Sequence, residues 1–310
     1  MALLKVNRLS AYFQACRAPF LTATIVPVLL GSVIAWHQGA GFNWFFFWLV
    51  LLGISFIHMG TNVFNDYFDH LSGNDENNLT PTSFSGGSRV IQENKLSPRS
   101  MFIFASVCFA LGGLIGAYLN FKLNTNIILI LGVAGILLAY FYTALPVKIG
   151  YRGMGEFTIG FCFGPLVVFG AYYAQAKSLD ILPFISSIPV AILVLLIVYI
   201  NEFPDYDADN SVSKNTLVVL LGKNKALKLY DILLCLVYIW IILAVAAGML
   251  PIFCLISLIT IPLALKSSAN LRKNFNNIQK LLFSNASTIK LHLTIGLFLS
   301  FGFILDKIIC

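Results

Sequence analysis

Two short acidic segments contain the side chains most suited to chemistry. The first reads "NDYFD" and the second "NEFPD", and with the residues that follow they supply Asn65, Asp66, Asp69, Asn201, Asp205 and Asp209. Residues four apart on a helix share a face, so each segment would present an amide beside a carboxylate. Mg²⁺ accepts such hard oxygen ligands and is usually completed by water and substrate phosphates. The two segments therefore predict one magnesium site.

An anionic substrate at this site would also need cationic side chains, because carboxylates cannot bind phosphate directly. The candidates lie at the ends of apolar segments or in the adjacent polar loops, and they are Arg17, Arg89, Lys148, Arg152 and Lys214. Arg89 ends the sequence "SGGSR", whose backbone N–H groups are also suited to face an anion. Asn62, one turn before Asp66, is a further candidate for substrate binding. The combination predicts a diphosphate held by Mg²⁺ on one side and by Arg or Lys on the other.

Apolar segments long enough to cross a membrane must position these residues. Of the 310 residues, 58% are hydrophobic and 11% charged, and the mean hydropathy of +0.86 excludes a water-soluble domain. A bilayer is crossed by roughly 20 apolar residues in a helix. Such runs lie near residues 18–37, 42–63, 101–120, 126–145, 155–175, 181–201, 230–249, 251–266 and 288–306. We predict an all-α membrane protein with nine helices around a central cavity that opens to the cytoplasm and laterally to lipid.

The basic residues predict the orientation of these segments, because Lys and Arg collect in cytoplasmic loops. With a cytoplasmic N-terminus, all of the 20 basic residues except Lys122, Lys177 and Lys307 fall on the cytoplasmic side. Both acidic segments fall there too, so we expect an active site at the cytoplasmic face of a bacterial inner membrane. The net charge of +7 then reflects topology and contact with anionic lipid. We infer neither a nucleic-acid partner nor an obligate protein partner.

Other sequence features narrow the class further. The six cysteines are scattered, without the CxxC spacing of a zinc site or a disulfide pattern. Residues 1–20 are basic and amphipathic and lack the features of a cleaved signal peptide, so we predict an interfacial helix that leads into the first span. The acidic segments lie four spans apart, as duplication of a helical unit would place them. We predict one membrane domain over residues 1–310, with pseudo-repeated halves near 1–150 and 151–310.

A diphosphate site at the rim of a lipid-facing cavity suits an isoprenoid diphosphate, which has a charged head and an apolar tail. Loss of diphosphate from an allylic carbon leaves a carbocation, and aromatic rings stabilise a cation by roughly 0.5–2 kcal/mol each. Mg²⁺ would stabilise the departing diphosphate as a Lewis acid. Tyr140 and Tyr142, at the end of the fourth apolar run, are candidates for lining the cation.

Several longer motifs resemble those of the UbiA-type intramembrane prenyltransferases. They are "NDYFD", "FSGGSRVI", "YTALPVKIGYRGMGE", "FGPL" and "NEFPDYDADNSVSKNTLVVLLG", and "RAPFLTATIVPVLLG" is similar to the family's Arg-Pro opening, with Ala18 inserted. "SGGSRVI" and "YRGMGE" most resemble the branch that prenylates 1,4-dihydroxy-2-naphthoate on the way to menaquinone. The resemblance implies Mg²⁺-dependent transfer of a polyprenyl group from its diphosphate to that aromatic acceptor, followed by loss of CO₂.

The family pattern also implies roles for individual residues. Mg²⁺ and diphosphate would be held by Asn65, Asp66, Asp69, Asn201, Asp205 and Asp209. The phosphates would lie near Arg89, Lys148, Arg152 and Lys214, and Tyr142 would lie near the allylic carbon. Gly73 stands where the family commonly has a third acid, and Asp75 takes that metal-binding place in the pattern of the naphthoate branch. Glu202 stands where an amide is commoner, and Pro204 implies an interrupted helical hydrogen bond.

Simpler roles compete with these. Asn and Asp at helix ends are commonly caps. The basic residues would also serve as cytoplasmic anchors, namely Arg17, Lys148 and Lys214. Tyr142 would also suit an interfacial aromatic belt. Glu156 is either a pocket acid or a partner of Arg152, and His58 is expected to make a hydrogen bond within the packing.

Whole-protein alternatives remain as well. The acceptor could instead be 4-hydroxybenzoate, homogentisate or a related compound. A cation-coupled transporter is a different class, but it predicts carboxylates near mid-membrane with a path to both faces. A non-catalytic scaffold does not explain two acidic segments, because charges at a membrane-buried helix are costly.

Overall fold

The protein is built from helices. The computed structural model describes residues 8–310. Its α-helices are, in chain order, α1 (Arg8–Ala15), α2 (Thr22–His37), α3 (Trp44–Leu71), α4 (Asn74–Asn77), α5 (Pro98–Leu123), α6 (Ile127–Phe141), α7 (Gly155–Phe161), α8 (Val167–Ala176), α9 (Leu182–Ser211), α10 (Leu217–Leu221), α11 (Lys223–Ala246), α12 (Ile261–Asn274) and α13 (Ile278–Ile309). A π-helical turn, Cys162–Leu166, joins α7 to α8, and a 3₁₀ helix, Ile252–Thr260, leads into α12.

Each predicted apolar run coincides with an apolar helix, which confirms the all-helical membrane architecture. Within residues 8–310, eight helices are long and apolar enough to cross a membrane: Ala18–His37, Trp44–Leu71, Pro98–Leu123, Gly155–Ala176, Leu182–Ser211, Lys223–Ala246, Ile252–Asn274 and Ile278–Ile309. The run near 126–145 forms α6, which is apolar but has only 15 residues. The predicted number of nine spans is therefore approximate, because α6 is shorter than the bilayer requires.

Capping residues determine where several spans begin. The Asn43 side chain accepts a hydrogen bond from the N–H of Phe46 at the start of α3. Ser97 does the same before α5, where Pro98 occupies a position that needs no N–H donor. Asn277 caps α13, so this helix begins well before residue 288, where the apolar run starts.

The long helix α9 continues through Pro204 to Ser211. Proline has no N–H, so Pro204 leaves the carbonyl of Ile200 without its helical donor. The side-chain Nδ2 of Asn285, on α13, lies 3.4 Å from that carbonyl oxygen. A neighbouring helix thus compensates for the interruption expected from the sequence, and α9 carries the second acidic segment without a break.

The first span, α2, lies inside the bundle and packs against α8 and α13. Gly31 allows the close approach to α8, since a Cβ there would lie 2.2 Å from the carbonyl oxygen of Val168. Apolar side chains of α2 share one buried core with α8, α9, α11 and α13. The core therefore includes the first span together with the C-terminal half of the chain.

The C-terminal ends of α3 and α9 lie together with several polar loops at one end of the bundle, where they line a common chamber. We call this the acidic end; it comprises the C-terminal ends of α3 and α9 and the loops 72–97, 142–154 and 212–216. Before α2, helix α1 packs Ala11 and Ala15 against α3. The predicted interfacial helix spanned residues 1–20, and of these residues 1–7 lie outside the described part of the chain.

Candidate functional site

A polar chamber of about 160 Å³ lies at the acidic end. Helices α3, α4 and α9 and the neighbouring loops form its walls. The predicted site residues that line it are Arg17, Asn62, Asn65, Asp69, Asp75, Tyr142, Asn201, Asp205, Asp209 and Lys214. Both acidic segments therefore face one chamber, although they are far apart in the sequence.

Asp66 lies beside this lining and is paired with a cation. Its side chain is 3% exposed, and one carboxylate oxygen forms an ion pair with Arg17. The other oxygen accepts a hydrogen bond from the backbone N–H of Ser88 at 3.1 Å. Asn62 donates to the carbonyl of Cys16 at 3.1 Å, which ties the chain next to Arg17 to α3. A buried carboxylate is costly unless paired, and here both oxygens have donors.

Asp69, one turn later, has three side-chain donors. The Tyr151 hydroxyl donates to Oδ1 at 2.7 Å, and Lys214 Nζ donates to Oδ2 at 2.9 Å. Asn65 Nδ2 also donates to Oδ2, at 3.2 Å. The amide and carboxylate that were predicted to share a helical face are thus in direct contact.

The second acidic segment is held mainly by uncharged donors. Asp205 accepts hydrogen bonds from Asn78 Nδ2 at 2.7 Å and from the N–H of Gly86 at 3.0 Å. Asp209 accepts one from Asn74 Nδ2 at 3.1 Å. These donors satisfy the carboxylates without neutralising their charge.

Asn201, at the start of that segment, also has an amide partner. Its Oδ1 accepts a hydrogen bond from Asn285 Nδ2 at 2.7 Å. The same Asn285 nitrogen lies near the Ile200 carbonyl that Pro204 leaves free. One residue of α13 therefore orients Asn201 and supports the backbone of α9.

Lys214 connects the two segments. Its Nζ lies 2.9 Å from Asp69 and 3.6 Å from Asp209. Burial alone would lower the pKa of Lys214, but the charges of Asp209 and Asp69 raise it well above its ordinary value. Lys214 therefore stays protonated between the two carboxylates, where it lines the chamber.

The glycine-rich loop 85–89 contacts carboxylates in this structure. The N–H of Gly86 donates to Asp205, and the N–H of Ser88 donates to Asp66. Gly86 has a φ of +77°, a conformation that favours glycine. The loop therefore connects the two acidic segments, and its predicted contact with an anion remains a prediction.

Asp75 has a carboxylate oxygen that is left without a partner within the described part of the chain. Its Oδ2 is buried and has no hydrogen-bond partner among the described residues. Burial, and then the charges of Asp69 and Asp66, raise the pKa of Asp75 to about 8. Arg89 donates to the Asp75 backbone carbonyl and so holds this turn in place.

The carboxylates of the chamber are better suited to Mg²⁺ than to a metal whose ligands all come from the protein. Residues 8–310 contain no group of three or more His, Cys, Asp or Glu side chains close enough together to hold a metal ion. Mg²⁺ keeps several waters and binds through one or two carboxylates plus substrate phosphates. Separated carboxylates around a chamber, one of them with an unpartnered oxygen, suit that mode.

Tyr142 reaches the chamber between two glycines. A Cβ at Gly155 would lie 3.2 Å from the ring, and one at Gly150 would lie 3.1 Å from it. Tyr140 instead packs on Phe64, with ring centroids 5.5 Å apart. Of the two candidate tyrosines, Tyr142 is the one that lines the chamber.

Two predicted phosphate ligands face other groups. Lys148 Nζ lies 4.5 Å from the centroid of the Tyr151 ring, and Arg152 donates to the carbonyl of Pro146 at 3.1 Å. Their contact with phosphate remains a prediction. Glu156 takes neither of its expected roles, because its Oε1 accepts from the N–H of Leu217 at 2.6 Å and so caps α10.

Several residues that hold the acidic segments were not predicted from the sequence. Asn74 and Asn78 repeat the four-residue amide spacing directly after the first segment, and that spacing could have identified them. Tyr151 lies inside the quoted motif "YTALPVKIGYRGMGE" but was not singled out. Asn285 has no such signal, because it lies in a span without neighbouring acids.

An apolar chamber of about 300 Å³ adjoins the polar one. It lies between α3, α5, α6 and the span formed by α7 and α8, and its walls are aliphatic side chains and glycines. Both chambers are lined by His58, Thr61, Ile159 and Phe163, so they adjoin at these four residues. Phe163 belongs to the π-helical turn, a distortion that is frequent at functional sites.

His58 sits at this junction and makes the hydrogen bond expected of it. Its Nδ1 lies 2.8 Å from Thr24 Oγ1 on α2. Its ring packs against Phe163, with centroids 4.6 Å apart. His58 therefore fixes the wall where the two chambers meet.

Comparisons with known proteins agree with this architecture. The model of the UbiA prenyltransferase family matches residues 24–288. UbiA prenyltransferase domain-containing protein 1 of Xenopus tropicalis is 28% identical over 302 residues, covering 96% of this chain and 83% of that protein. The 1,4-dihydroxy-2-naphthoate octaprenyltransferase of Bacillus subtilis is 27% identical over 294 residues, covering 95% and 92%.

Solved structures give the same fold. A UbiA homologue from Archaeoglobus fulgidus bound to DMAPP and Mg²⁺ superimposes with a TM-score of 0.65. The two chains are 16% identical, and the match covers 92% of this chain and 98% of the homologue. At this identity the likeness concerns the arrangement of the helices alone.

Proposed function

The chain belongs to the UbiA prenyltransferase family, and on this basis we propose that it prenylates 1,4-dihydroxy-2-naphthoate. It is an integral membrane prenyltransferase that takes its prenyl group from an isoprenyl diphosphate. The choice of acceptor is supported by the Bacillus subtilis relative and by the motifs "SGGSRVI" and "YRGMGE". The proposed place of the reaction is the acidic end, facing the cytoplasm.

The observation that carries the proposal is that a polar and an apolar chamber adjoin at His58, Thr61, Ile159 and Phe163. The polar chamber combines carboxylates with Arg17 and Lys214, as the diphosphate head requires. The apolar chamber of about 300 Å³ has the size of a small-molecule pocket, for which roughly 300–1,000 Å³ is usual. An isoprenyl diphosphate has this same division between a charged and an apolar part.

Within the polar chamber, the candidates for holding Mg²⁺ are Asp75, Asp205 and Asp209, with one or two of these carboxylates on each ion and Asp69 beside them. When bound, Mg²⁺ would supply Lewis-acid stabilisation of the diphosphate. Lys214 and Arg17 would neutralise the diphosphate further, because both are cations on the chamber wall. The phosphates would compete with Asp69 and Asp66 for these side chains.

The proposed reaction breaks the allylic C–O bond, and its electron pair leaves with the diphosphate. The ring of Tyr142 would face the resulting allylic cation and stabilise its charge. The electron-rich carbon of dihydroxynaphthoate that bears the carboxylate would form the new C–C bond. Loss of CO₂ from that carbon then restores the aromatic ring. The apolar junction around Phe163 would exclude water, which would otherwise capture the cation.

The test uses the full-length protein in lipid nanodiscs with geranylgeranyl diphosphate, Mg²⁺ and 1,4-dihydroxy-2-naphthoate. A prenylated, decarboxylated product is expected, and it should disappear with EDTA and in Asp69→Ala and Asp205→Ala. Lys225→Ala is the matched control, because Lys225 is an exposed lysine at the same end of the bundle. This variant should keep the wild-type activity.

The acceptor is tested in parallel with 4-hydroxybenzoate and homogentisate. Product from one of these and none from dihydroxynaphthoate would overturn the proposed acceptor. Ion flux through the membrane without any prenylated product would contradict the assignment of the chamber to prenyl transfer.

A further inference from the structure

Among the glycines around the apolar chamber, two contrasting kinds can be distinguished. The lining contains Gly53, Gly112, Gly113, Gly116, Gly132, Gly135 and Gly170. Gly53 and Gly112 bring α3 and α5 together, because a Cβ at Gly112 would lie 2.8 Å from the carbonyl oxygen of Gly53. A Cβ at Gly116 or at Gly132, in contrast, would meet no heavy atom within 4 Å. Close packing of helices explains the first kind but not the second.

Gly116 and Gly132 both belong to faces that line the chamber. On α5, Gly116 follows Gly112 by four residues and precedes Leu119 by three, and both neighbours are buried lining residues. On α6, Gly132 follows the buried Ile128 by four residues and precedes Gly135 by three, and both of these residues line the chamber. Gly116 is half-buried and Gly132 is exposed, so side chains added there would enter the open space along the chamber wall.

The two positions lie far from the diphosphate site. On α6, Gly132 precedes Tyr142 by ten residues, which corresponds to roughly 15 Å of helix. Gly116 lies seven residues from the end of α5 and Gly132 five residues from the start of α6, so a short connection places them at similar depth. Thr61 lines both chambers and lies eight residues, or roughly 12 Å of helix, along α3 from Gly53, which packs against Gly112 one turn from Gly116.

We infer that Gly116 and Gly132 set the length of prenyl chain that the enzyme accepts. The inference rests on the proposed function of the apolar chamber as the site of the tail. Without side chains at these two positions, the far part of the chamber stays open for the last isoprene units. A larger residue at either position closes that part and leaves the near part, which a short tail fills, unchanged.

The experiment compares diphosphates of different length on Gly116→Leu, Gly132→Leu and the alanine variants Gly116→Ala and Gly132→Ala. Unreactive thiolo analogues of geranyl, farnesyl and geranylgeranyl diphosphate are titrated with Mg²⁺, and binding is followed by the rise in Tm. Turnover of the natural diphosphates is measured in parallel. Ala110→Leu, on an exposed position of α5 outside the chamber lining, is the matched control.

The leucine variants should lose roughly tenfold or more in affinity for the longest analogue, because burial of each further isoprene unit contributes strongly. Their affinity for the geranyl analogue should stay within about twofold of wild type, since its near end is unaffected. The alanine variants should also lose more affinity for the long analogues than for the short ones, by smaller factors. They provide the test if the leucine variants do not fold. Equal weakening of long and short analogues would overturn the inference.

Failure of the inference is separable from failure of the proposed function. Wild-type protein that no prenyl analogue stabilises would contradict the proposed use of the chambers. Wild-type protein that all analogues stabilise, with glycine variants that keep the wild-type order of lengths, would overturn only the role of Gly116 and Gly132.

Discussion

The two acidic segments have similar sequences but are held in different ways. In the first, Asp66 is paired with Arg17, and Asp69 is paired with Lys214. In the second, Asp205 accepts from Asn78 and from the backbone of Gly86, and Asp209 accepts from Asn74. The first segment is therefore neutralised by side-chain cations, whereas the second is mainly solvated by amides.

The difference suggests a division of labour within one chamber. An amide donor satisfies a carboxylate oxygen but leaves its negative charge, so the second segment keeps its attraction for a divalent cation. In the proposed reaction, the cations of the first segment would instead face the negatively charged head group of the substrate. Lys214 belongs to both regions, because its Nζ also lies 3.6 Å from Asp209.

Removing Lys214 should have the largest effect, because this residue serves both segments. Lys214→Met leaves Asp69 and Asp209 as buried carboxylates without their shared cation, at an expected cost of about 3–5 kcal/mol. Loss of a cation that faces a leaving diphosphate should also lower kcat by roughly 10²–10³-fold. Thermal unfolding and product formation in nanodiscs measure the two effects.

Lys225→Met is the control for Lys214→Met, since Lys225 is an exposed lysine at the same end of the bundle. It should leave both measurements near wild type. If Lys214→Met also kept its kcat, the idea of a cation shared by the two segments would be wrong.

The second prediction separates the segments by their need for magnesium. Asp205→Asn removes a charge that only amides accompany, so the Mg²⁺ concentration for half-maximal activity should rise tenfold or more, which corresponds to about 1.4 kcal/mol. Asp66→Asn removes a charge already balanced by Arg17, so its shift should be smaller. The measurement is a Mg²⁺ titration of initial rate for both variants, and equal shifts would contradict the division of labour.

The third prediction concerns how α9 presents the second segment. Asn285→Ala removes the donor to Asn201 and to the Ile200 carbonyl, which should lower the free energy of unfolding by about 1–3 kcal/mol. Pro204→Ala restores the N–H that this carbonyl lacks. The double variant should therefore lose less stability than the sum of the single variants, with a coupling of about 0.5–3 kcal/mol.

A double-mutant cycle on thermal unfolding measures this coupling. Asn270→Ala is the control, because Asn270 donates to Lys280 and Ser284 and so joins α12 to α13. It should show no coupling to Pro204→Ala. Additive losses for Asn285 and Pro204 would mean that Asn285 does not compensate for the proline.

The sequence predicted what depends on residue type and local spacing. Hydrophobic length located the spans. The amide and acid pattern indicated Asn65, Asp69 and Asp205, which line the polar chamber, and their roles stay predictions. Contacts between distant parts of the chain could not be predicted in this way. Lys214, for example, donates to Asp69, which lies 145 residues earlier in the sequence. The loop at Gly86 shows the same limit. Its N–H groups were expected to face an anion, but the N–H of Gly86 donates to Asp205. Only folding brings this carboxylate to the loop, so the contact could not be predicted from local spacing.

The smallest effect is expected where the first segment has several donors for one carboxylate. Tyr151→Phe removes the hydroxyl that donates to Asp69 Oδ1 but keeps the ring that Lys148 covers. Lys214 and Asn65 still hold Oδ2, so the loss should be about 0.5–1.5 kcal/mol, or less than roughly tenfold in kcat/KM. Steady-state kinetics with varied diphosphate measure it.

Tyr230→Phe is a matched control for this change, because Tyr230 is a buried tyrosine whose hydroxyl lies 3.0 Å from Ser267 and 2.7 Å from Thr288, away from the chamber lining. It should lower Tm without changing kcat/KM, whereas Tyr151→Phe should change kcat/KM. A loss with Tyr151→Phe as large as that with Lys214→Met would show that the hydroxyl, rather than the cation, is the main support of Asp69. The contrast between a segment neutralised by cations and one solvated by amides would then not hold.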